Sequence, residues 1–230
     1  MIPISDINPS KNKPYISRLF ITICILSYVL LQPKDSFELF NFFYRLSAIP
    51  CEIFNNAPLT ENQYLLNDCF AAKTNPIFAD KNILLSVLYA NFLHANFLHI
   101  LGNLWSFWIF GNNIEDKLGK IKFIFFIFLI AFGSILFHSI LNFSSLIPIV
   151  GASGIVSGLM GAYVNLFPNA RLLVLVPFGF LFPTTIKAKY FMFFWFISQF
   201  YIAINAQGIS WEAHISGFIL GYIFVKIFRK

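Results

Sequence analysis

Six side chains able to move a proton, attack a carbonyl or donate a hydrogen bond sit in stretches otherwise built of Phe, Ile, Leu and Val. They are His94, His99, Asn103, His138, Ser153 and His214. At bilayer depth such groups are costly, so each is a candidate for function. Ser153 lies in IVGASGIVSGLMGAY (149–163), between Ala152 and Gly154 and shortly after Pro148. Its hydroxyl is a weak nucleophile unless a base stands beside it, and His214 is the candidate base. Asn103 and His99 can donate toward a developing oxyanion, joined by backbone N–H groups at the start of the serine's helix. Gly151 and Pro148 favour an irregular lead-in there, which leaves those N–H groups unpaired and the positive end of the dipole near Ser153. The chemistry would be acyl transfer. Alone, the GASG string reads more simply as helix packing, because small residues let helices approach closely in lipid.

The positioning elements decide between these readings. Six spans of about 20 residues can be drawn, over 15–32, 92–111, 122–141, 149–167, 189–205 and 211–228. At 1.5 Å per residue, Asn103 lies about 18 Å above Glu115, Ser153 about 22 Å above Pro168 and His214 about 18 Å above Lys226. Three polar residues on three helices thus reach one level, about 10 Å below the outer edge of a core roughly 30 Å thick. His99 is one turn above Asn103 on the same face. The fourth span carries Gly154, Gly158 and Gly161 beside Ser153, and the sixth carries His214, Gly217 and Gly221 on one stripe. If the stripes face each other, Ser153 and His214 meet. His94 is about 140° off the His99 face. It is expected to be structural, without a joint metal site. His138, alone near the outer end of the third span, is also expected to be structural. GNNIEDKLG (111–119) reads as a polar cap and turn, and Trp105, Trp108, Trp195 and Trp211 as lipid-facing or interfacial bulk.

Composition agrees with a membrane protein. Of 230 residues, 58% are hydrophobic and 11% charged, unlike an ordinary soluble domain. The formal charge of +6 does not imply nucleic acid, since the basic residues lie in short segments between apolar runs. Twelve of the sixteen Lys and Arg fall at the N-terminus, the second-to-third and fourth-to-fifth connections and the C-terminal end. That bias puts both termini in the cytoplasm and the long loop, 34–91, outside. The loop is too long for slack and is expected to pack on the bundle. The first apolar run lacks a small-residue cleavage pattern and reads as retained. RLLVLVPFGFLFPTT (171–185), interrupted by two prolines and a glycine, reads as a partly buried or interfacial connection. The three cysteines have no metal spacing; Cys51 and Cys69 could pair if their loop faces an oxidising compartment.

These residues resemble the rhomboid family of intramembrane serine proteases. HANFLHILGN (94–103) matches the family's HxxxxHxxxN element, GASG (151–154) its nucleophile motif and AHISGFILG (213–221) its AHxxGxxxG. GNNIEDKLG is similar to the segment after the first motif, and LFPNARLLVLVPFG (166–179) to a connection in many bacterial members. The match spans about 90–221. The resemblance implies a Ser–His dyad, with Ser153 as nucleophile and His214 as general base and then acid. It implies an oxyanion hole from Asn103, His99 and the backbone N–H groups of Ser153 and Ala152. His94, Gly151, Gly154, Gly217 and Gly221 would be supporting residues. Two departures stand out: Ser157 occupies a position where some members stack an aromatic on the histidine, and YRL (44–46) only faintly matches a Trp-Arg pair.

The expected fold is an all-α polytopic membrane protein, a single six-helix rhomboid-like domain over 1–230 with both termini cytoplasmic. The expected activity is hydrolysis of a peptide bond in or near the outer half of a partner's transmembrane segment. Partners would be single-pass or other transmembrane substrates and the lipid bilayer, with no metal, no organic cofactor and no nucleic acid. A compact chain of this kind suggests a bacterial inner membrane, with the site opening outward. Two other classes predict different signatures. An inactive, client-binding relative predicts loss of Ser153 or His214, and both are present. A transporter predicts internal repeats and broken helices in corresponding halves, which the sequence lacks.

Overall fold

The first apolar run forms helix α1 (Tyr15–Leu26) and continues as a π-helical turn to Leu31. The structure is a computed structural model that describes residues 1–8, 10–178, 180–205 and 208–229. The other long helices are α6 (Phe97–Leu118), α7 (Lys120–Leu141), α8 (Ser153–Leu166), α9 (Ala188–Asn205) and α10 (Trp211–Phe228). Among the described residues, α7 and α10 are long and apolar enough to cross a membrane by that criterion alone. Between α1 and α6 the chain forms four shorter helices, α2 (Ser36–Leu46), α3 (Pro50–Asn55), α4 (Glu61–Leu65) and α5 (Ile83–Ala90).

Four expectations are corrected. The helix expected over 92–111 starts at Phe97, where Asn96 caps it by accepting the His99 N–H at 2.9 Å, and runs to Leu118. GNNIEDKLG is therefore helix except at Gly119, whose φ of +77° makes the turn. Its acidic residues have distant donors. Glu115 accepts from the N–H groups of Ile16 and Ser17 (2.9 and 2.8 Å) and the Ser17 hydroxyl (2.7 Å), capping α1 from another helix. Asp116 accepts from the backbone of Lys11 and Asn12 and from the Asn12 amide.

The fourth helix begins at Ser153, and 149–152 lead into it non-helically. The fold is also not wholly α. The segment read as an interfacial connection is a hairpin of β2 (Arg171–Phe178) and β3 (Phe180–Lys187), and β1 (Ile2–Asp6) pairs antiparallel with β2. Leu172 and Val174 are buried while Arg171 is exposed, an alternation of period two. Pro183 sits on β3, an edge strand of the sheet, where proline is tolerated. Gly179 lies outside the described residues. Asp6 ends β1 and accepts from the Asn113 amide (2.5 Å) and the Tyr163 hydroxyl (3.0 Å). Burial raises its carboxyl above the usual range, against the pull of those donors.

The core lies between α1, α6, α7, α8 and α10. Phe20 of α1 stacks on Phe107 of α6 with ring centroids 4.5 Å apart, and Tyr163 of α8 sits edge-on to Phe110. Glycines let α8 and α10 meet backbone to backbone. A Cβ on Gly217 would strike the carbonyl of Gly154, and one on Gly221 the carbonyl of Gly158. The two stripes read from the sequence do face each other.

The long loop is a packed layer. Cys51 and Cys69 form a disulfide with their Cα atoms 5.7 Å apart. Lys81 and Glu52 make a buried ion pair at 2.5 Å, and the Lys81 ammonium also donates to the Tyr44 carbonyl at 2.6 Å. Burial pushes the Glu52 carboxyl up and the Lys81 ammonium down, each opposed by the other's charge. Arg45 of the YRL segment reaches Asp80 at 2.6 Å on the exposed side.

Candidate active site

Ser153 is the first residue of α8, preceded by Ala152, whose carbonyl accepts the Val156 N–H at 2.9 Å. What brings the serine to its place is the lead-in. Ile149 donates its N–H to the Ala48 carbonyl and Gly151 donates to the Ala90 carbonyl, each at 2.8 Å. Gly151 has φ +113°, a conformation that a side chain resists. A Cβ there would also fall 2.6 Å from His99 Nε2 and 3.4 Å from Asn103 Nδ2. Glycine is thus required twice over, and the space it leaves open is faced by both nitrogens.

His214 lies near the start of α10, and its Nε2 is 2.9 Å from Ser153 Oγ. Its Nδ1 is 2.8 Å from Gln199 Oε1 on α9. Three helices therefore meet at one imidazole. Ser157 turns away from the ring and donates its hydroxyl to the Ser153 carbonyl at 2.7 Å. Gln199, only 2% exposed, is the residue that sequence reasoning missed. Its signal was present: an amide within the apolar run FMFFWFISQFYIAI (191–204), a position where a polar group must find a partner.

On α6, His99 and Asn103 lie one turn apart and line the same cavity as Ser153 and His214. His99 Nδ1 is 3.4 Å from the Ala95 N–H, which it can accept; a neutral ring then carries its proton on Nε2, toward Gly151. Asn103 is buried, and among the described residues its Nδ2 has no hydrogen-bond partner. A buried, unpaired donor calls for explanation, and one waiting for an oxygen in the cavity supplies it. The first N–H groups of α8 have no earlier helical carbonyl to meet, so the Ser153 N–H is a further donor at the helix's positive end. Ala152 is fully buried. The cavity is about 650 Å³ and is also lined by Gly151, Gly154 and Glu212.

His94 is fully buried before α6, and its ring meets that of His99 edge-on at 5.3 Å. Gln32 clamps its backbone, accepting its N–H at 2.8 Å and donating to its carbonyl at 2.9 Å. This is a supporting position, though without a ring hydrogen bond among the described residues. His138 is not alone, as had been expected. Its Nδ1 is 3.0 Å from Glu212 Oε2, while the Asn142 amide donates to Glu212 Oε1 at 3.1 Å. This cluster ties the start of α10 to the end of α7, at the cavity wall. Among the described residues no group of His, Cys, Asp and Glu has the arrangement to hold a metal.

A family model described as the Rhomboid domain matches residues 81–230. A putative rhomboid protein of Acanthamoeba polyphaga mimivirus is 29% identical over 154 residues, covering 66% of this chain and 79% of that protein. The mitochondrial rhomboid protein 1 of Saccharomyces cerevisiae is 26% identical over 151 residues, covering 61% of this chain and 40% of the relative.

Proposed function

The chain belongs to the rhomboid family and is an integral membrane protein, and from that premise we propose that it is an intramembrane serine endopeptidase. The observation that carries the reading is the 2.9 Å approach of Ser153 Oγ to His214 Nε2, in a cavity that His99 and the unpaired Asn103 amide also line. Ser153 Oγ attacks the carbonyl carbon of a substrate peptide while its proton passes to His214 Nε2. The tetrahedral oxyanion accepts from His99 Nε2–H, Asn103 Nδ2–H and the Ser153 N–H. His214 returns the proton to the leaving amine, and the C–N bond breaks to give an acyl-enzyme. Water, deprotonated by His214, then attacks the ester and frees Ser153. No metal or organic cofactor takes part in this sequence.

The proposed substrates are single-pass or other transmembrane proteins whose helix unwinds readily, since a peptide bond must leave its helix to be attacked. The proposed topology has six spans (α1 with its π-helical turn, then α6 to α10) and cytoplasmic termini in one domain. It is supported by β1 pairing with β2 and by the Lys122 ammonium donating to the Phe228 carbonyl at 3.1 Å. Those bonds gather both termini at the Lys- and Arg-rich end of the bundle. The disulfide in the long loop favours an oxidising compartment on the other side. A bacterial inner membrane, with the cavity opening outward, is the proposed location.

The test is a transmembrane reporter in proteoliposomes, with a fluorophosphonate probe alongside. The intact protein is expected to cleave and to be labelled, and Ser153→Ala and His214→Ala to do neither. Cleavage that survives Ser153→Ala would overturn the proposal. An intact protein that neither cleaves nor labels would favour a client-binding role.

A further inference from the structure

We propose that Gln199 is a positioning residue that fixes the proton of His214 on Nδ1, so that Nε2 is left free to take the proton of Ser153. The inference rests on the protease reading and adds to it a third group on a separate helix.

The hydrogen bonds themselves decide which way the amide points. Gln199 Nε2 donates to the Trp195 carbonyl at 3.3 Å and to the Ser198 hydroxyl at 3.4 Å. Ser198 in turn gives its own hydrogen to the Trp195 carbonyl at 2.6 Å, so its oxygen remains free to accept. With the amide reversed, Oε1 would face the Trp195 carbonyl oxygen, and two acceptors would be held together without a proton. The observed orientation therefore presents Oε1 to His214 at 2.8 Å. A carbonyl oxygen has no proton to give, so the ring must supply one from Nδ1. In a neutral imidazole the other nitrogen is then an acceptor, and Nε2 faces Ser153 Oγ at 2.9 Å. The opposite tautomer would leave Oε1 opposite a lone pair and would put a hydrogen where the serine's proton must go.

The surroundings make this choice rigid. Gln199 is buried, and its backbone belongs to α9, which is joined to α10 by a short connection (residues 206–210). In a low-dielectric interior a satisfied polar pair of this kind is strongly directional, and an unsatisfied one is costly. A neutral amide achieves this orientation without placing a carboxylate inside a lipid-facing bundle, where a charge is expensive. Gln199 touches neither the proposed nucleophile nor the cavity's open space, so its effect passes through the ring.

The experiment uses the full chain in proteoliposomes with 15N-labelled histidine. The sequence has four histidines, so the His214 signals are assigned by difference from His214→Ala. The intact protein should show His214 protonated at Nδ1 and bare at Nε2. Gln199→Leu, close in volume and apolar, should lose that preference. Its kcat on a transmembrane reporter should fall by about 10- to 100-fold with KM unchanged. Gln199→Glu restores an acceptor at the same place and should recover most of the lost kcat. Wild-type kcat in Gln199→Leu, or a His214 protonated at Nε2 in the intact protein, would overturn the assignment. An intact protein that neither cleaves nor is labelled would instead overturn the protease reading, while the tautomer measurement would still judge Gln199.

Discussion

Replacing Gly221 by alanine adds one methyl group at the tightest place between α8 and α10, and its effect can be worked through to Ser153. The new Cβ would fall 2.5 Å from the carbonyl carbon and 2.6 Å from the Cα of Gly158. Carbon atoms rest comfortably at about 3.5 Å or more. Both obstructing atoms are backbone, so no rotamer change relieves them, and the helices must part by about 1 Å. Gly221 is two turns from His214, about 10 Å along the axis, and a rigid helix carries the displacement with it. The Ser153–His214 separation of 2.9 Å would open toward about 4 Å, beyond hydrogen-bonding distance. A misplacement of that size costs about 100-fold in rate, while overpacking destabilises the fold by about 1–3 kcal/mol. The assay is the rate of fluorophosphonate labelling in proteoliposomes, read beside the thermal midpoint. Gly102→Ala is the control, because a Cβ there meets nothing within 4 Å. In mid-helix it should stabilise by about 0.5–1 kcal/mol, which separates the helix-propensity effect of alanine from the clash at Gly221. A Gly221→Ala protein labelled at the wild-type rate would refute the claim that the glycine contact sets the distance between the two residues.

Three further outcomes follow from single contacts. Asn103→Leu removes the unpaired amide, and reporter cleavage should fall about 100-fold or more with little change in thermal midpoint. Glu115→Ala strips the cap from α1, leaving the Ile16 and Ser17 N–H groups without their acceptor. The expected loss is about 2–3 kcal/mol in reversible unfolding, whereas Glu115→Gln should lose less. Lys81→Met leaves Glu52 buried without its counter-ion, for a loss of about 3–5 kcal/mol. Burial already holds the folded Glu52 carboxyl above its unfolded range. The penalty should therefore be full at neutral pH and shrink as acid protonates that carboxyl, which midpoints measured down a pH series will show.

Ser153, His214, Asn103 and His99 were legible because each breaks an apolar run, and helical rise alone sets their common level. The facing glycines were legible for a related reason: a stripe at i, i+3, i+7 has one obvious use in lipid. Gln199 was not singled out, since an amide in an apolar run signals only that it needs a partner, and not which one. Its importance comes only from how α9 and α10 fold against each other. The true end of α6 was hidden because Asn112, Asn113, Glu115 and Asp116 look like a terminus. The partners of Asn113, Glu115 and Asp116 lie about a hundred residues earlier, in the N-terminal strand, the segment after it and the start of α1. The sheet escaped for the same reason, because β1 and β2 are remote in sequence and β1 is only five residues long. The Cys51–Cys69 bond could be named from the sequence only as an option, since spacing does not fix pairing.

The long loop acquires a purpose from these contacts. A serine at the first position of a helix has no preceding turn to hold it, so its direction depends on the segment that arrives there. That segment is fastened to the loop layer at three places: the Cys51 N–H donates to the Ser145 carbonyl at 3.0 Å, Ile149 donates to Ala48, and Gly151 donates to Ala90. Behind those contacts stand the disulfide and the buried Lys81–Glu52 pair. The fold thus constrains the two partners separately. The loop layer fixes the approach to Ser153, the Glu212–His138–Asn142 cluster fixes the start of α10, and Gln199 fixes the ring that α10 carries. The glycine contact between α8 and α10 then sets how far apart the two sit. The long connection has this work to do because the helix that carries Ser153 begins too late to position it.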